Sequence, residues 1–90
     1  MSNANPRTVG IVGLGYVGLP LSGAFEAAGH HVIGFDVDPS KPKKLDQADS
    51  YLPHLGQDLF DRLASSSRFH PTCDENALAS CDAILVCVPT

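Results

Sequence analysis

The stretch "GIVGLGYVGLP" (residues 10–20) decides the fold, because it removes side chains at regular intervals where a strand runs into a helix. A short β-branched run, "TVGIVG" (residues 8–13), precedes the change of pattern and predicts a buried strand. The apolar residues that follow recur at helical spacing: Leu21, Ala24, Phe25 and Ala28. Gly29 is a good C-terminal capping residue, so the pattern predicts a helix that starts near Tyr16 or Val17 and ends there.

Gly13, Gly15 and Gly18 form the pattern G-x-G-x-x-G at this strand-to-helix junction. The first glycine permits a tight turn, the second lets a pyrophosphate approach the backbone, and the third lets helix and strand pack closely. The helix N-terminus adds free N–H donors and a partial positive charge. Taken alone, the pattern is also typical of a tight turn that binds no ligand.

Asp36 favours the dinucleotide interpretation. It ends the second apolar run, "HHVIGFD", 18 residues after Gly18, where a carboxylate can accept hydrogen bonds from the adenosine ribose hydroxyls. The same carboxylate would repel a 2′-phosphate, so the sequence predicts NAD rather than NADP as the cofactor. Asp38 is a rival for this role, but it is better explained as the cap of the next helix, with Pro39 at the first helical position.

The remaining segments predict an α/β domain. "DAILVCVP" (residues 82–89) is a further apolar strand, "RFHPT" (68–72) a weak edge strand, and helices are expected at residues 38–47, 58–64 and 74–81. Near-continuous apolar strands are typical of a parallel sheet that is covered on both faces. We therefore predict a Rossmann-like, doubly wound parallel sheet, the N-terminal part only, with about four strands in the order 3-2-1-4 and residues 83–88 as the fourth. This partial domain spans residues 7–90, and residues 1–6 are expected to be a disordered N-terminus or an expression remnant.

The composition limits the classes of binding partner that can be expected. The 90 residues carry a net charge of −4, with 43% hydrophobic and 18% charged residues, which is typical of a globular domain and indicates neither nucleic acid nor an anionic membrane as a partner. No apolar run is long enough for a membrane span, and the first residues lack a signal-peptide core, so we expect a cytoplasmic protein. Cys73, Cys81 and Cys87 have no disulfide or zinc spacing and predict reduced thiols. No metal site is expected, because the four histidines lack suitably spaced partners.

Four stretches together resemble the N-terminal domain of the UDP-glucose/GDP-mannose dehydrogenases, also called nucleotide-sugar dehydrogenases. They are "GIVGLGYVGLPL" (residues 10–21), "GFDVDPSK" (34–41), "SYLPHL" (50–55) and "DAILVCVPT" (82–90). The "GYVGLP" and "CVPT" segments are more specific than the glycines alone, and "SYLPHL" leans toward the branch that oxidises UDP-N-acetylhexosamines.

The resemblance implies a set of cofactor-binding residues. The loop from Gly13 to Gly18 would hold the pyrophosphate, Asp36 and Lys41 the adenosine ribose, and the last residues of the chain would lie along the cofactor toward the nicotinamide. In full, the implied set is Gly13, Leu14, Gly15, Tyr16, Val17, Gly18, Asp36, Lys41, Val88, Pro89 and Thr90. Pro42 departs from the family pattern, which usually continues a regular helix there.

The resemblance also implies the reaction of the whole protein. Such enzymes oxidise the C6 alcohol of a UDP-sugar or similar substrate to a carboxylate in two steps, with two NAD and a thioester on a cysteine. That cysteine lies in a sugar-binding part beyond the first hundred residues, and none of Cys73, Cys81 and Cys87 matches it. We therefore expect no catalytic residue in this chain, no turnover by the chain alone, and a homo-oligomer as the complete enzyme, acting in polysaccharide biosynthesis.

Two alternatives remain open at this point. Hydroxyacid and phosphogluconate dehydrogenases have N-terminal domains of related build, although "GYVGLP" followed by "SYLPHL" weighs against them. A stand-alone nucleotide-binding module is the other.

The isolated chain is also expected to be marginally stable and to self-associate through an exposed edge at residues 83–88.

Overall fold

The computed structural model describes residues 7–88, which form one four-stranded sheet with helices packed against it. The strands are β1 Thr8–Val12, β2 His31–Phe35, β3 Phe69–Thr72 and β4 Ala83–Val86. The α-helices are α1 Gly18–Ala27, α2 Ser40–Asp46 and α3 Gln57–Ser65, and two 3-10 helices span Pro53–Leu55 and Glu75–Ser80. The predictions made for residues 1–6 and for Pro89 and Thr90 concern residues outside the described range.

All strand pairs are parallel, in the order β3-β2-β1-β4. The chain therefore leaves β1 in one direction to build β2 and β3, then crosses back to place β4 on the other side of β1. This reversal of direction at β1 confirms the predicted Rossmann-like architecture. It also creates a topological switch point there, with β2 on one side and β4 on the other. No helix in residues 7–88 is long and apolar enough to cross a membrane.

The core lies between the sheet and the helices α1, α2 and α3. Its buried members are Val9, Ile11, Leu14, Leu19, Val32, Leu45, Phe60, Leu63 and Phe69. The second 3-10 helix covers the opposite face, where a Cβ added to Gly10 would meet the side chain of Leu78 at 2.9 Å. The prediction of one regular helix over residues 74–81 was thus wrong in type, although Asp74 caps the segment as a helix cap would, by accepting a hydrogen bond from the Asn76 N–H.

The buried face of α1 is offset from the apolar positions that predicted the helix, of which only Leu21 and Phe25 pack against the core. Ala24 and Ala28 are exposed and Leu21 and Phe25 only partly buried, whereas Leu19, Ser22, Gly23 and Glu26 are buried. The reason is close packing on small residues, since a Cβ on Gly23 would meet the Leu59 side chain at 2.7 Å. Apolar periodicity gives no weight to glycine or to a paired carboxylate, so it selects a neighbouring face.

Glu26 is buried because two arginines and a serine share its carboxylate. Arg68 Nη2 lies 2.9 Å from Oε2, Ser66 Oγ donates to the same oxygen at 2.7 Å, and Arg62 Nε lies 3.2 Å from Oε1. Arg68 also donates to the Glu26 carbonyl. Charge pairing of this kind offsets the cost of removing a carboxylate from water, and here it ties α1 to the end of α3 and the start of β3.

β4 is shorter and more exposed than predicted. The strand ends at Val86, so Cys87 lies just beyond it, and Ile84 and Val86 are 49% and 67% exposed. Only Leu85 of this strand packs against the core. Within the described residues β4 pairs with β1 alone, so the backbone along its other edge has no neighbouring strand.

Candidate functional site

A cleft of about 780 Å³ opens at the carboxyl edge of the sheet, where β1, β2 and β4 end. Its volume lies in the range of small-molecule and cofactor sites, and its position outside a topological switch point is where open α/β sheets bind ligands. The lining comes from the three segments that follow these strands: Val12, Gly13, Leu14, Gly15, Tyr16, Val17, Phe35, Asp36, Val37, Asp38, Lys41, Val86, Cys87 and Val88.

Each of the three glycines meets a different constraint. Gly13 has φ of +104°, which side chains rarely adopt, and a Cβ there would lie 2.7 Å from the Cys87 carbonyl oxygen. A Cβ on Gly18 would overlap the Gly13 carbonyl oxygen and crowd Ile11. Gly15 differs from both, because no protein atom lies within 4 Å of the position a Cβ would take. The open space at Gly15 faces the cleft that it lines, as a position kept clear for a ligand would.

The loop that carries these glycines presents free donors. Gly13 N–H donates to the Phe35 carbonyl at 2.8 Å, which fixes the turn against β2. In the described part of the chain the N–H groups of Gly15, Tyr16 and Val17 donate to no acceptor, and they stand at the N-terminus of the ten-residue helix α1. Such donors, together with the positive end of a helix, suit the phosphate oxygens of a dinucleotide.

Asp36 directly follows β2, lies against the glycine loop and is only 7% exposed. Its Oδ2 accepts a hydrogen bond from the Leu14 N–H at 2.9 Å, and its Oδ1 accepts one from the Asp38 N–H at 2.9 Å. Lys41 Nζ lies 3.4 Å from Oδ2. The carboxylate is thus held rigidly between the glycine loop and the start of α2, with its charge balanced by one lysine.

Pro42 does not displace Lys41, because it falls in the first turn of α2, where a helix loses no hydrogen bond to proline. The helix α2 begins one residue later than predicted, with Pro39 in the cap position, but Asp38 Oδ1 still accepts hydrogen bonds from the Ser40 N–H and from Ser40 Oγ, at 3.0 and 2.8 Å. These hydrogen bonds, the side-chain one above all, hold the pKa of the Asp38 carboxyl below its usual value.

The structure brings most of the predicted residues together. Eight of them line the cleft: Gly13, Leu14, Gly15, Tyr16, Val17, Asp36, Lys41 and Val88. Gly18 does not line it, and instead lies buried beneath Gly13. Leu14 is fully buried and its side chain belongs to the core.

The sequence reading missed several wall residues: Val12, Phe35, Val37, Val86 and Cys87. Each lies at the end of a strand or within two residues after it. That position in the sequence is the signal that could have identified them as residues of the cleft wall. Val37 is the most informative, because it is 82% exposed beside Asp36 and offers an apolar surface at the cleft mouth.

Comparison with known families identifies the family of the chain. Residues 7–90 match the model of the UDP-glucose/GDP-mannose dehydrogenase family, NAD binding domain. The chain belongs to this family. The alternative assignments to other dehydrogenases, which share only the general build, are set aside by this match, and NAD is the cofactor of the family domain to which the cleft belongs.

The relatives carry several sugar specificities. The chain is 34% identical over 84 residues to GDP-mannose 6-dehydrogenase of Pseudomonas putida, covering 91% of this chain and 19% of the relative. It is 32% identical to NDP-N-acetyl-D-galactosaminuronic acid dehydrogenase of Ralstonia solanacearum, covering 93% and 19%. The structure of a UDP-glucose dehydrogenase from Pyrobaculum islandicum superimposes with a TM-score of 0.83 at 32% identity, covering 93% and 20%. The chain therefore spans about one fifth of the length of the proteins it resembles.

Proposed function

We propose that this chain is the cofactor-holding part of a nucleotide-sugar 6-dehydrogenase and binds NAD in the cleft at the carboxyl edge of the sheet. The N–H groups of Gly15, Tyr16 and Val17 would receive the pyrophosphate, and Asp36 with Lys41 would receive the adenosine ribose. Val88, Pro89 and Thr90 would lie along the cofactor toward the nicotinamide. Residues 7–90 form the functional unit in this proposal.

The observation that carries the proposal is the shared cleft of three free N–H groups and one buried carboxylate. Gly15 has open space above it, while the two other glycines of the motif are required by the protein's own packing. A turn that served the fold alone would need Gly13 and Gly18 but not Gly15. The absence of a side chain at Gly15 is instead explained by a ligand that approaches the backbone at this point.

The Asp36 carboxylate retains the capacity to bind a hydroxyl group. Two carboxylate oxygens offer about four acceptor positions. The Leu14 and Asp38 N–H groups occupy two of them and Lys41 approaches a third. The remaining position, in a residue that lines the cleft, suits one ribose hydroxyl of NAD.

Lys41 supports NAD rather than NADP. A free lysine near the ribose would favour a 2′-phosphate, but Lys41 Nζ is paired with Asp36 at 3.4 Å. The pair leaves little net positive charge for an additional phosphate, and the carboxylate repels one.

For the whole protein, we propose oxidation of a nucleotide-sugar C6 alcohol to a carboxylate with two NAD, in a cytoplasmic homo-oligomer that serves polysaccharide biosynthesis. The sugar is a UDP-sugar or a related nucleotide sugar, since the relatives name GDP-mannose, UDP-glucose and an N-acetylgalactosaminuronic acid. The "SYLPHL" segment supports the UDP-N-acetylhexosamine branch. None of the three cysteines is proposed to form the thioester.

Calorimetric titration of the 90-residue chain with NAD, NADP and ADP-ribose tests the proposal. We expect NAD and ADP-ribose to bind with similar affinity and NADP at least tenfold more weakly. NADH absorbance with UDP-sugars should stay at the background, because the chain lacks a thioester cysteine. Absence of NAD binding by a folded chain would refute the cofactor site, and NADH formation would refute the assignment of catalysis to another part of the protein.

A further inference from the structure

The segment Ser50 to Leu55 contains one tyrosine that touches the glycine loop from outside the cleft. The Tyr51 hydroxyl donates a hydrogen bond of 2.7 Å to the Leu14 carbonyl oxygen, across 37 positions of sequence. Tyr51 is not among the residues that line the cleft, so it acts on the site only through the loop.

The acceptor of this bond is part of a functionally placed peptide group. The Leu14 carbonyl and the Gly15 N–H belong to one planar peptide unit, and in a trans peptide these two groups point in opposite directions. Fixing the carbonyl on the Tyr51 side therefore directs the Gly15 N–H away from Tyr51. Gly15 lines the cleft and Tyr51 does not, so an N–H directed away from Tyr51 is placed to face the ligand.

Leu14 is held from both ends. Its N–H donates to Asp36 Oδ2 at 2.9 Å, and its carbonyl accepts from Tyr51. Its side chain is fully buried in the core, so the residue cannot rotate as a unit. The Gly13–Leu14 peptide is thus hydrogen-bonded to the Asp36 carboxylate proposed for the ribose. The next peptide, Leu14–Gly15, carries the N–H proposed for the pyrophosphate.

Tyr51 is itself well anchored. Its ring packs edge-on against Phe60, with centroids 5.4 Å apart, and Phe60 is completely buried. Lys44 Nζ lies 6.0 Å from the ring centroid on the exposed side. Burial, with the charges of Asp36 and Asp38 contributing less, raises the pKa of the Tyr51 hydroxyl, so it remains a donor throughout the neutral range.

We propose that Tyr51 is a positioning residue of the NAD site, whose hydroxyl orients the Leu14–Gly15 peptide and so presents the Gly15 N–H to the cofactor pyrophosphate. This inference rests on the proposed function. It assigns to the "SYLPHL" segment a role in cofactor binding that its distance from the glycine motif in sequence conceals.

The test is Tyr51→Phe, which removes the hydroxyl and keeps the ring on Phe60. Calorimetry with NAD, ADP and adenosine should show about tenfold weaker binding of NAD and ADP, equivalent to about 1.4 kcal/mol. Adenosine, which has the ribose but no phosphate, should change less than twofold. Ser65→Ala is the matched control, because it removes a hydroxyl that donates to the Asp61 carbonyl far from the cleft, and all three affinities should be unchanged.

A second measurement uses the wild-type chain alone. In amide NMR spectra, ADP should shift the Gly15 resonance strongly, while adenosine should leave it nearly unmoved. Equal loss of NAD and adenosine binding in Tyr51→Phe, no loss at all, or an unmoved Gly15 amide with ADP would each overturn the positioning role. A folded wild-type chain that binds no NAD would instead refute the proposed function, and the inference with it.

Discussion

Replacing Gly15 by alanine or valine should abolish most NAD binding while leaving the fold intact. No protein atom lies within 4 Å of the position of the new Cβ, and the backbone there is not in the left-handed region. The added carbon therefore enters open space at the cleft, where the proposal places the pyrophosphate. Because alanine restricts the unfolded chain more than glycine does, Gly15→Ala should raise the free energy of unfolding by about 0.4–1 kcal/mol.

The loss of affinity follows from the donors that surround Gly15. The three free N–H groups at the start of α1 would each form a hydrogen bond to a charged phosphate, and such bonds contribute about 1.5–3 kcal/mol each. A Cβ that displaces the pyrophosphate from one of them should weaken NAD roughly tenfold to a little over a hundredfold. Valine, which is larger, should cost two of the three and exceed a hundredfold.

Gly29→Ala is the matched control for the assay. Gly29 also has open space around it, but its φ is +95° and it lies beyond the end of α1, away from the cleft. Alanine there should cost about 1–2 kcal/mol of stability, or roughly 4–16 °C in Tm, without affecting NAD affinity. Thermal melts by circular dichroism and calorimetric titration measure both quantities. If Gly15→Val remains folded and binds NAD like the wild type, the phosphate-binding role of the loop is refuted.

Further predictions concern the carboxylates, the alkaline limit and the sheet edge. Asp36→Ala should weaken NAD about ten- to a hundredfold and also lower Tm, because the buried Leu14 N–H and the part-buried Asp38 N–H lose their acceptor; an unchanged calorimetric affinity would contradict its role. Glu26→Gln should cost about 1–2 kcal/mol of stability in urea unfolding, discounted for its half-exposed arginines, yet leave NAD affinity unchanged. The pKa of Tyr51 is raised on folding, so stability is complete below the unfolded value of 10.0 and falls as pH rises above it; this slope should be reduced in Tyr51→Phe. Sedimentation should show self-association that Ile84→Lys with Val86→Lys suppresses; a wild-type chain that stays monomeric would contradict this edge model.

The parallel sheet and the position of the cleft were predictable because they depend on local signals. Each strand is a short apolar run with a clear end, and the carboxyl ends of parallel strands must meet at one edge. Gly13 and Asp36 follow two of these ends directly, so their proximity could be inferred before any contact was seen. The structure confirms the strand order and brings both residues to the lining of one cleft.

The buried face of α1 was not predictable from the same signals. Its burial is decided by close approach at Gly18 and Gly23 and by the pairing of Glu26 with arginines from distant segments. None of these features contributes to an apolar pattern. The hydrogen bond from Tyr51 to Leu14 was hidden for a related reason, because it joins a loop without regular structure to a backbone carbonyl that no sequence pattern marks.

Asp36 has two roles that the sequence suggests only in part. A ribose-binding carboxylate needs to be near the glycine loop, but here it also accepts the N–H of Leu14 and so helps to fix that loop. The ordering of the loop is therefore completed on folding and need not be supplied by the ligand, which favours affinity. All the groups proposed for the adenosine and pyrophosphate half come from residues 13–41, whereas Val86 at the end of β4, with Cys87 and Val88 directly after it, completes the lining of the cleft. It follows that the chain should recognise the ADP part of the cofactor largely independently of the nicotinamide, so ADP-ribose should bind about as tightly as NAD.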